Sequence, residues 1–168
     1  LQEFFSEPYL AINYDVNRGY GAYIYFSYLT DNQVSNRFIR TIFERSRDYN
    51  SFDVDYSILT VISALNDYDL DFETVTHDFF IANGMLSSSD SAGIYQYVES
   101  NTFPMDLPTL EQNISISSDT TLYFYNQVLE TYSALYYLVD TKDSSWSNIV
   151  IDLITQDSEN MRYYTTSI

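Results

Sequence analysis

A single histidine, His77, stands in the run Thr76-His77-Asp78. An imidazole beside a carboxylate is the beginning of a proton relay, but consecutive residues on a helix project about 100 degrees apart, so this pair is expected to form none locally. His77 therefore reads as a surface or capping residue, since one imidazole supplies only one of the several ligands that a zinc site requires. Asp67, Asp69, Asp71 and Glu73 alternate as the ligands of a calcium-binding loop do. The sixth position, however, is Phe72 where such a loop turns on Gly, and the twelfth is Asp78 where a bidentate Glu is usual. The competing reading is a set of acids at the start of a helix, favoured by the macrodipole with no ion present. Asn113-Ile114-Ser115 has the form of a glycosylation acceptor, which matters only in a eukaryotic secretory route. Gly19-Tyr20-Gly21 lacks the strand and helix context of a phosphate loop, and no Gly-x-Ser-x-Gly elbow occurs. The chain has no cysteine, so thiol chemistry, disulfides and thiolate metal sites are excluded.

The elements that would position these groups fall in two runs. From Asn17 to Glu44 the spacing predicts two helices joined by the polar turn Asp31-Asn32-Gln33. Tyr20, Tyr23, Ile24, Phe26 and Leu29 form the apolar band of the first, with Gly21 and Ala22 allowing close backbone approach. The second is amphipathic, with Val34, Phe38, Ile39, Ile42 and Phe43 set against Arg37, Arg40, Glu44 and Arg45. A third helix, capped by Ser51 or Asp53, turns Val54, Ile58, Val61, Ile62 and Leu65 inward. A fourth, capped by Asp69 or Asp71, turns Phe72, Val75, Phe79 and Ala82 inward and stops at Gly84. Residues 1 to 16 read as a short helix or loop packed on the helices after it, with Pro8 limiting helix through Glu7. Ser87 to Ser91 read as a polar linker, and Gly93 to Val98 as a brief apolar element.

After Leu110 the apolar period becomes two: Ile114 and Ile116; Leu122 and Phe124; Tyr132, Ala134, Tyr136 and Leu138; Ile149, Ile151 and Leu153; Met161 and Tyr163. Helices succeeded by strands without interleaving predict an α+β fold, a bundle of about four helices and then a small antiparallel β-sheet or sandwich. The corresponding division is a helical subdomain over 1–86, a linker over 87–110 and a β-rich module over 111–168.

The 168 residues suffice for a sizeable core. Seven basic against 24 acidic side chains give a formal charge of −17, which repels nucleic acid and anionic membranes, so neither is an expected partner. No apolar run reaches the roughly 18 residues of a membrane span. A cysteine-free chain rich in Tyr, Ser, Asn and Asp is expected to be extracellular or at a cell surface, with any targeting segment lying before Leu1.

The run Tyr20-Gly21-Ala22, the aromatic and aliphatic residues ending Phe26-Ser27-Tyr28-Leu29, a short turn, and then Phe38-Ile39-Arg40-Thr41-Ile42-Phe43-Glu44 resemble the segment after the zinc-binding helices in thermolysin-like metallopeptidases (gluzincins). Tyr56 to Leu65 and Phe72 to Asn83 look like the next two helices of that region, so the resemblance covers roughly residues 4 to 85. The family's activity needs His-Glu-x-x-His, and this chain has one histidine. The resemblance thus implies the downstream part of a longer protein, or a relative that has lost the chemistry, with zinc expected in a full-length parent and no cofactor in this chain. It further implies a peptide or protein substrate, bound in a cleft of which this segment forms one wall. Tyr20 would match the tyrosine that donates a hydrogen bond to the oxyanion of the tetrahedral intermediate, although the acidic and basic residues that usually come after it are absent. The residues themselves allow two placements for Tyr20: facing a catalytic cleft, or packed among the other aromatics. An alternative of another class is a non-enzymatic extracellular or surface module, associating with itself through its acidic, Tyr-rich β part.

Overall fold

Asp71 starts the central helix. Its backbone is extended (φ −86°, ψ 125°), and its carboxylate accepts a hydrogen bond from the Thr74 amide at 2.8 Å, which satisfies one of the first-turn N–H groups that no helical carbonyl can reach. Asp71→Ala is expected to lower stability by about 1 kcal/mol, read as a fall in urea midpoint with unchanged slope, and Asp71→Asn to lower it far less.

The computed structural model describes residues 2–8, 10, 12, 23–47, 56–86, 95–99, 107–116 and 132–141. In chain order these hold α1 (Gln2–Ser6), α2 (Tyr23–Asn32), α3 (Arg37–Ser46), α4 (Tyr56–Asn66), α5 (Phe72–Met85), β1 (Gln112–Ile116) and β2 (Tyr137–Thr141). The fold is a mixed α+β arrangement, helices first and sheet after. Against α5 lie α2 and α4, and α3 packs on α4. Phe72, Val75, Phe79 and Ala82 are all buried on α5, as their spacing predicts, and Val61, Ala64 and Leu65 are buried on α4.

Several expectations give way. On α2 the buried face is Ile24, Tyr25, Tyr28 and Leu29, whereas Tyr23 is 57% exposed and Phe26 is only half-buried. The helix is rotated relative to the predicted band because the Tyr25 hydroxyl finds the buried Thr76 and the Tyr28 hydroxyl accepts from the half-buried Gln33 at the helix end, which lets both rings be buried. On α3, Phe38 is fully buried, but Phe43, expected on the apolar face, is 69% exposed. Gly84 does not stop α5. The helix runs through it to Met85, and Leu86 takes the left-handed cap (φ 41°), its N–H bonded to the Ala82 carbonyl at 2.8 Å. Residues 95–99 form a bend and turn that buries Tyr97.

The sheet corrects the expected architecture most. Among the described residues it has two strands, and they run parallel, with Gln112 opposite Tyr137 and Ile116 opposite Thr141, so it is neither antiparallel nor a sandwich. Alternation says which face of a strand is apolar and nothing about its direction. The 20 residues from 117 to 136 exceed the dozen or so that a parallel crossover needs. Tyr132 to Tyr136, expected as strand, instead begin with a positive φ at Tyr132, and the Tyr132 and Ala134 backbone groups bond the N-terminal segment. Ala134 N–H reaches the Pro8 carbonyl at 2.9 Å, and Ile12 N–H the Tyr132 carbonyl at 3.1 Å. Thr109 N–H likewise reaches the Phe5 carbonyl at 2.8 Å. The expected strands at Leu122 to Phe124, Ile149 to Leu153 and Met161 to Tyr163, the linker at Ser87 to Ser91 and the caps Ser51 and Asp53 lie outside the described residues. No helix among the described residues is long and apolar enough to cross a membrane.

Candidate functional site

The densest polar chemistry lies inside the molecule, where α5 meets α2 and the segment leading into β2. Thr76 and Asn83 are two turns apart on the buried side of α5, 4% and 1% exposed. Thr76 Oγ1 and the Tyr25 hydroxyl lie 3.1 Å apart in a buried hydrogen bond. Asn83 joins two phenols: the Tyr97 hydroxyl donates to its Oδ1, and its amide donates to the Tyr136 hydroxyl, which in turn donates to the Phe80 carbonyl at 2.9 Å. Three stretches distant in sequence are thus linked by one directed chain of bonds. Beside it a cavity of about 10 Å³, room for roughly one water molecule, is lined by Asn83, Tyr136, Phe80, Phe4, Phe5 and the two prolines Pro8 and Pro108.

Burial pushes the Tyr25, Tyr28, Tyr97 and Tyr136 phenols well above the usual tyrosine range, since each would have to ionise away from water. The bonds from Thr76 to Tyr25, Gln33 to Tyr28 and Asn83 to Tyr136 act in the opposite sense and are outweighed. These hydroxyls therefore stay protonated at neutral pH. They can donate hydrogen bonds and fix positions, and they cannot serve as bases or nucleophiles there.

Gly84 makes this arrangement possible. A Cβ at that position would lie 3.1 and 3.3 Å from the Tyr136 ring, which cannot retreat while its hydroxyl is held by Phe80 and Asn83. Ala normally favours a helix over Gly by about 1 kcal/mol. Here Gly84→Ala is expected to reverse that sign and lower the thermal midpoint, whereas Gly84→Ala combined with Tyr136→Leu is expected to recover most of the loss.

The residues singled out from sequence are scattered. Tyr20, with Gly19 and Gly21, lies outside the described residues. His77 Nδ1 sits 3.7 Å from Asp78 Oδ1, nearer than the helical projection predicts yet beyond hydrogen-bonding distance, and both side chains are partly exposed. The alternating acids are drawn to separate tasks: both Asp67 carboxylate oxygens accept from Arg45 Nη2, at 2.9 and 2.8 Å, Asp69 occupies a left-handed turn position (φ 56°), and Asp71 caps α5. Asn113 and Ser115 are exposed on β1, on either side of the buried Ile114. No group of three or more His, Cys, Asp or Glu placed to hold a metal ion occurs among the described residues. With one imidazole, and with Asp67 and Asp71 already engaged, the described residues do not fit a zinc ion.

The chain matches no protein-family model, no curated protein and no solved structure. The residues that sequence reasoning passed over are Asn83, Tyr97 and Tyr136. An Asn in the last turns of an otherwise apolar helix face was the one available signal, because a polar residue at a core position requires a partner. The partner's location in the chain had no signature.

Proposed function

We propose that this chain is the helical and β portion of a secreted zinc metallopeptidase-like protein, forming one wall of a peptide-substrate cleft, with the metal ligands carried by another part of the parent. What supports this reading most is the block from α2 to α5. There α2 runs to Asn32, a turn at residues 33–36 separates it from α3, and α4 and α5 come after. Ile24, Tyr25, Tyr28 and Leu29 are packed into the same core as Phe72 and Phe79. A wall of this kind holds a substrate only if it is rigid, and the buried hydrogen bonds of α5 supply that rigidity. The reaction itself is assigned to groups outside the described residues.

The test is metal content. The 168-residue chain alone is expected to bind no zinc at a one-to-one ratio and to hydrolyse no peptide, whereas the natural protein that contains it is expected to carry one zinc per chain and to lose peptide hydrolysis on chelation. Stoichiometric zinc on the isolated chain, or a zinc-free natural protein, overturns the reading. The second reading, a non-enzymatic extracellular module that associates through its β part, draws support from Leu107 and Leu110, which stand 56% and 41% exposed just before β1. A zinc-free natural protein favours it.

A further inference from the structure

Asn83 is followed by Gly84, and of the chain's four glycines only this one comes after an asparagine or aspartate. Such a pair carries a reaction of its own. Once hydroxide removes its proton, the glycine backbone nitrogen attacks the side-chain carbonyl carbon of the asparagine. A nitrogen–carbon bond forms, the bond from that carbon to the side-chain nitrogen breaks, and that nitrogen leaves as ammonia after taking a proton from water. Water then opens the cyclic imide at either carbonyl, giving aspartate, or isoaspartate in which the main chain runs through the side chain. Glycine permits this because it has no Cβ to crowd the attacking nitrogen and its dihedrals are free.

The fold withholds each condition that the reaction needs. Gly84 lies within α5, which runs to Met85, so its N–H is committed to the helix, and ring closure needs a backbone turn outside the helical dihedrals. The Asn83 side chain is buried, which keeps hydroxide and water from it. Both ends of its amide are engaged, Tyr97 donating to Oδ1 and the amide nitrogen donating to Tyr136. The Tyr136 ring lies against Gly84 itself, where an added Cβ would come within 3.1 Å of it. These constraints lapse together when the end of α5 opens, and helix ends are where local opening is easiest.

We propose that the Asn83-Gly84 peptide is a masked deamidation site, and that its reaction turns a passing opening of α5 into a permanent one. The proposal is independent of the peptidase reading. The fold does not tolerate either product. Aspartate has no amide hydrogen for the Tyr136 hydroxyl and puts an acid where water does not reach, at the cost of a buried charge or of a proton taken up to neutralise it. Isoaspartate adds a methylene to the main chain and breaks the helical register before Gly84. Tyr97 and Tyr136 then lose the residue that joins them, and the segments they tie to α5 are released.

The test incubates the 168-residue chain at mildly alkaline pH, folded in buffer and unfolded in urea, and follows the peptide that spans Asn83 and Gly84 by mass spectrometry for the exchange of ammonia for water. Deamidation is expected in urea and about a hundredfold or more slower in buffer, the ratio being the fraction of time that the end of α5 stands open. Tyr97→Phe, which takes the Tyr97 donor from Asn83 Oδ1, is expected to quicken the reaction in buffer by about tenfold and to leave the rate in urea unchanged. The deamidated protein, separated by its added negative charge and returned to buffer, is expected to have a lower urea midpoint than the intact chain. Equal rates in buffer and urea, an unfolded chain that keeps its amide at residue 83, a Tyr97→Phe protein no faster than wild type, or a deamidated protein as stable as the intact one overturns the proposal.

Discussion

Titrated upward through pH 10, the protein is expected to lose its helices in one cooperative step. Tyr25, Tyr28, Tyr97 and Tyr136 have phenols raised above the unfolded value, by burial first, with hydrogen bonds opposing at Tyr25, Tyr28 and Tyr136 only. The sign comes from proton counting. Above about pH 10 the unfolded chain releases these protons while the folded chain keeps them, so the folded state binds more protons and stability falls as pH rises. Below the unfolded value the contribution is fully present. Each such phenol withdraws about 1.4 kcal/mol per pH unit, and four together about 5.5 kcal/mol. Against a total stability of about 5 to 15 kcal/mol for a typical domain, that is exhausted within roughly one to three pH units.

Lys142 is the chain's single lysine, so little of the alkaline loss can be assigned to ammonium groups. Two signals measured together decide the matter: tyrosinate absorbance and far-ultraviolet circular dichroism. The buried set is expected to ionise in step with the loss of helix. Helical signal persisting past about pH 12, with every tyrosine already ionised, would show that these phenols are not sealed from water. Tyr97→Phe, which removes one of the four, is expected to make the transition shallower.

The same tyrosines mark where sequence reading succeeded and where it failed. The apolar faces of α4 and α5 come from aliphatic and phenylalanine residues at helical spacing, which have no reason to lie anywhere but inside. Tyrosine carries a large ring and a polar tip, so its burial depends on whether a partner waits for the hydroxyl. For Tyr25 that partner is Thr76, 51 positions away. Periodicity within ten residues cannot see it, and the predicted band on α2 is accordingly rotated onto Tyr23 and Phe26. Gly84 misleads for a related reason, because a glycine near a helix end ordinarily marks the stop, and here it makes room for the Tyr136 ring. Parallel pairing of β1 and β2 is invisible in the sequence, since apolar alternation is the same whichever way a neighbouring strand runs. Of the candidate site, only the polar Asn83 on an apolar helix face is legible in the sequence, and Tyr20 lies outside the described residues.

Phe79→Ala is expected to be the most damaging single truncation of the core, lowering stability by about 3 to 5 kcal/mol. The ring is wholly buried and has four aromatic neighbours, its centroid lying 4.9 Å from Tyr25, 5.2 Å from Phe80, 5.8 Å from Tyr28 and 6.1 Å from Phe4. These neighbours come from α1, α2 and α5, so the void left by truncation borders three helices, and none can close it without abandoning its own contacts. The Tyr25 contact is edge-on at 87°, an arrangement that adds about 0.5 to 1.5 kcal/mol beyond area burial. Phe79→Leu keeps most of the volume and loses the ring contacts, and is expected to fall between wild type and the alanine variant. Urea unfolding monitored by circular dichroism gives both values, with the slope as a check that the unfolded reference is unchanged. A loss below about 1.5 kcal/mol for Phe79→Ala, the level of a tolerated volume-conserving swap, would mean that the helices collapse easily onto the void. The rigid wall needed for a substrate cleft would then be absent.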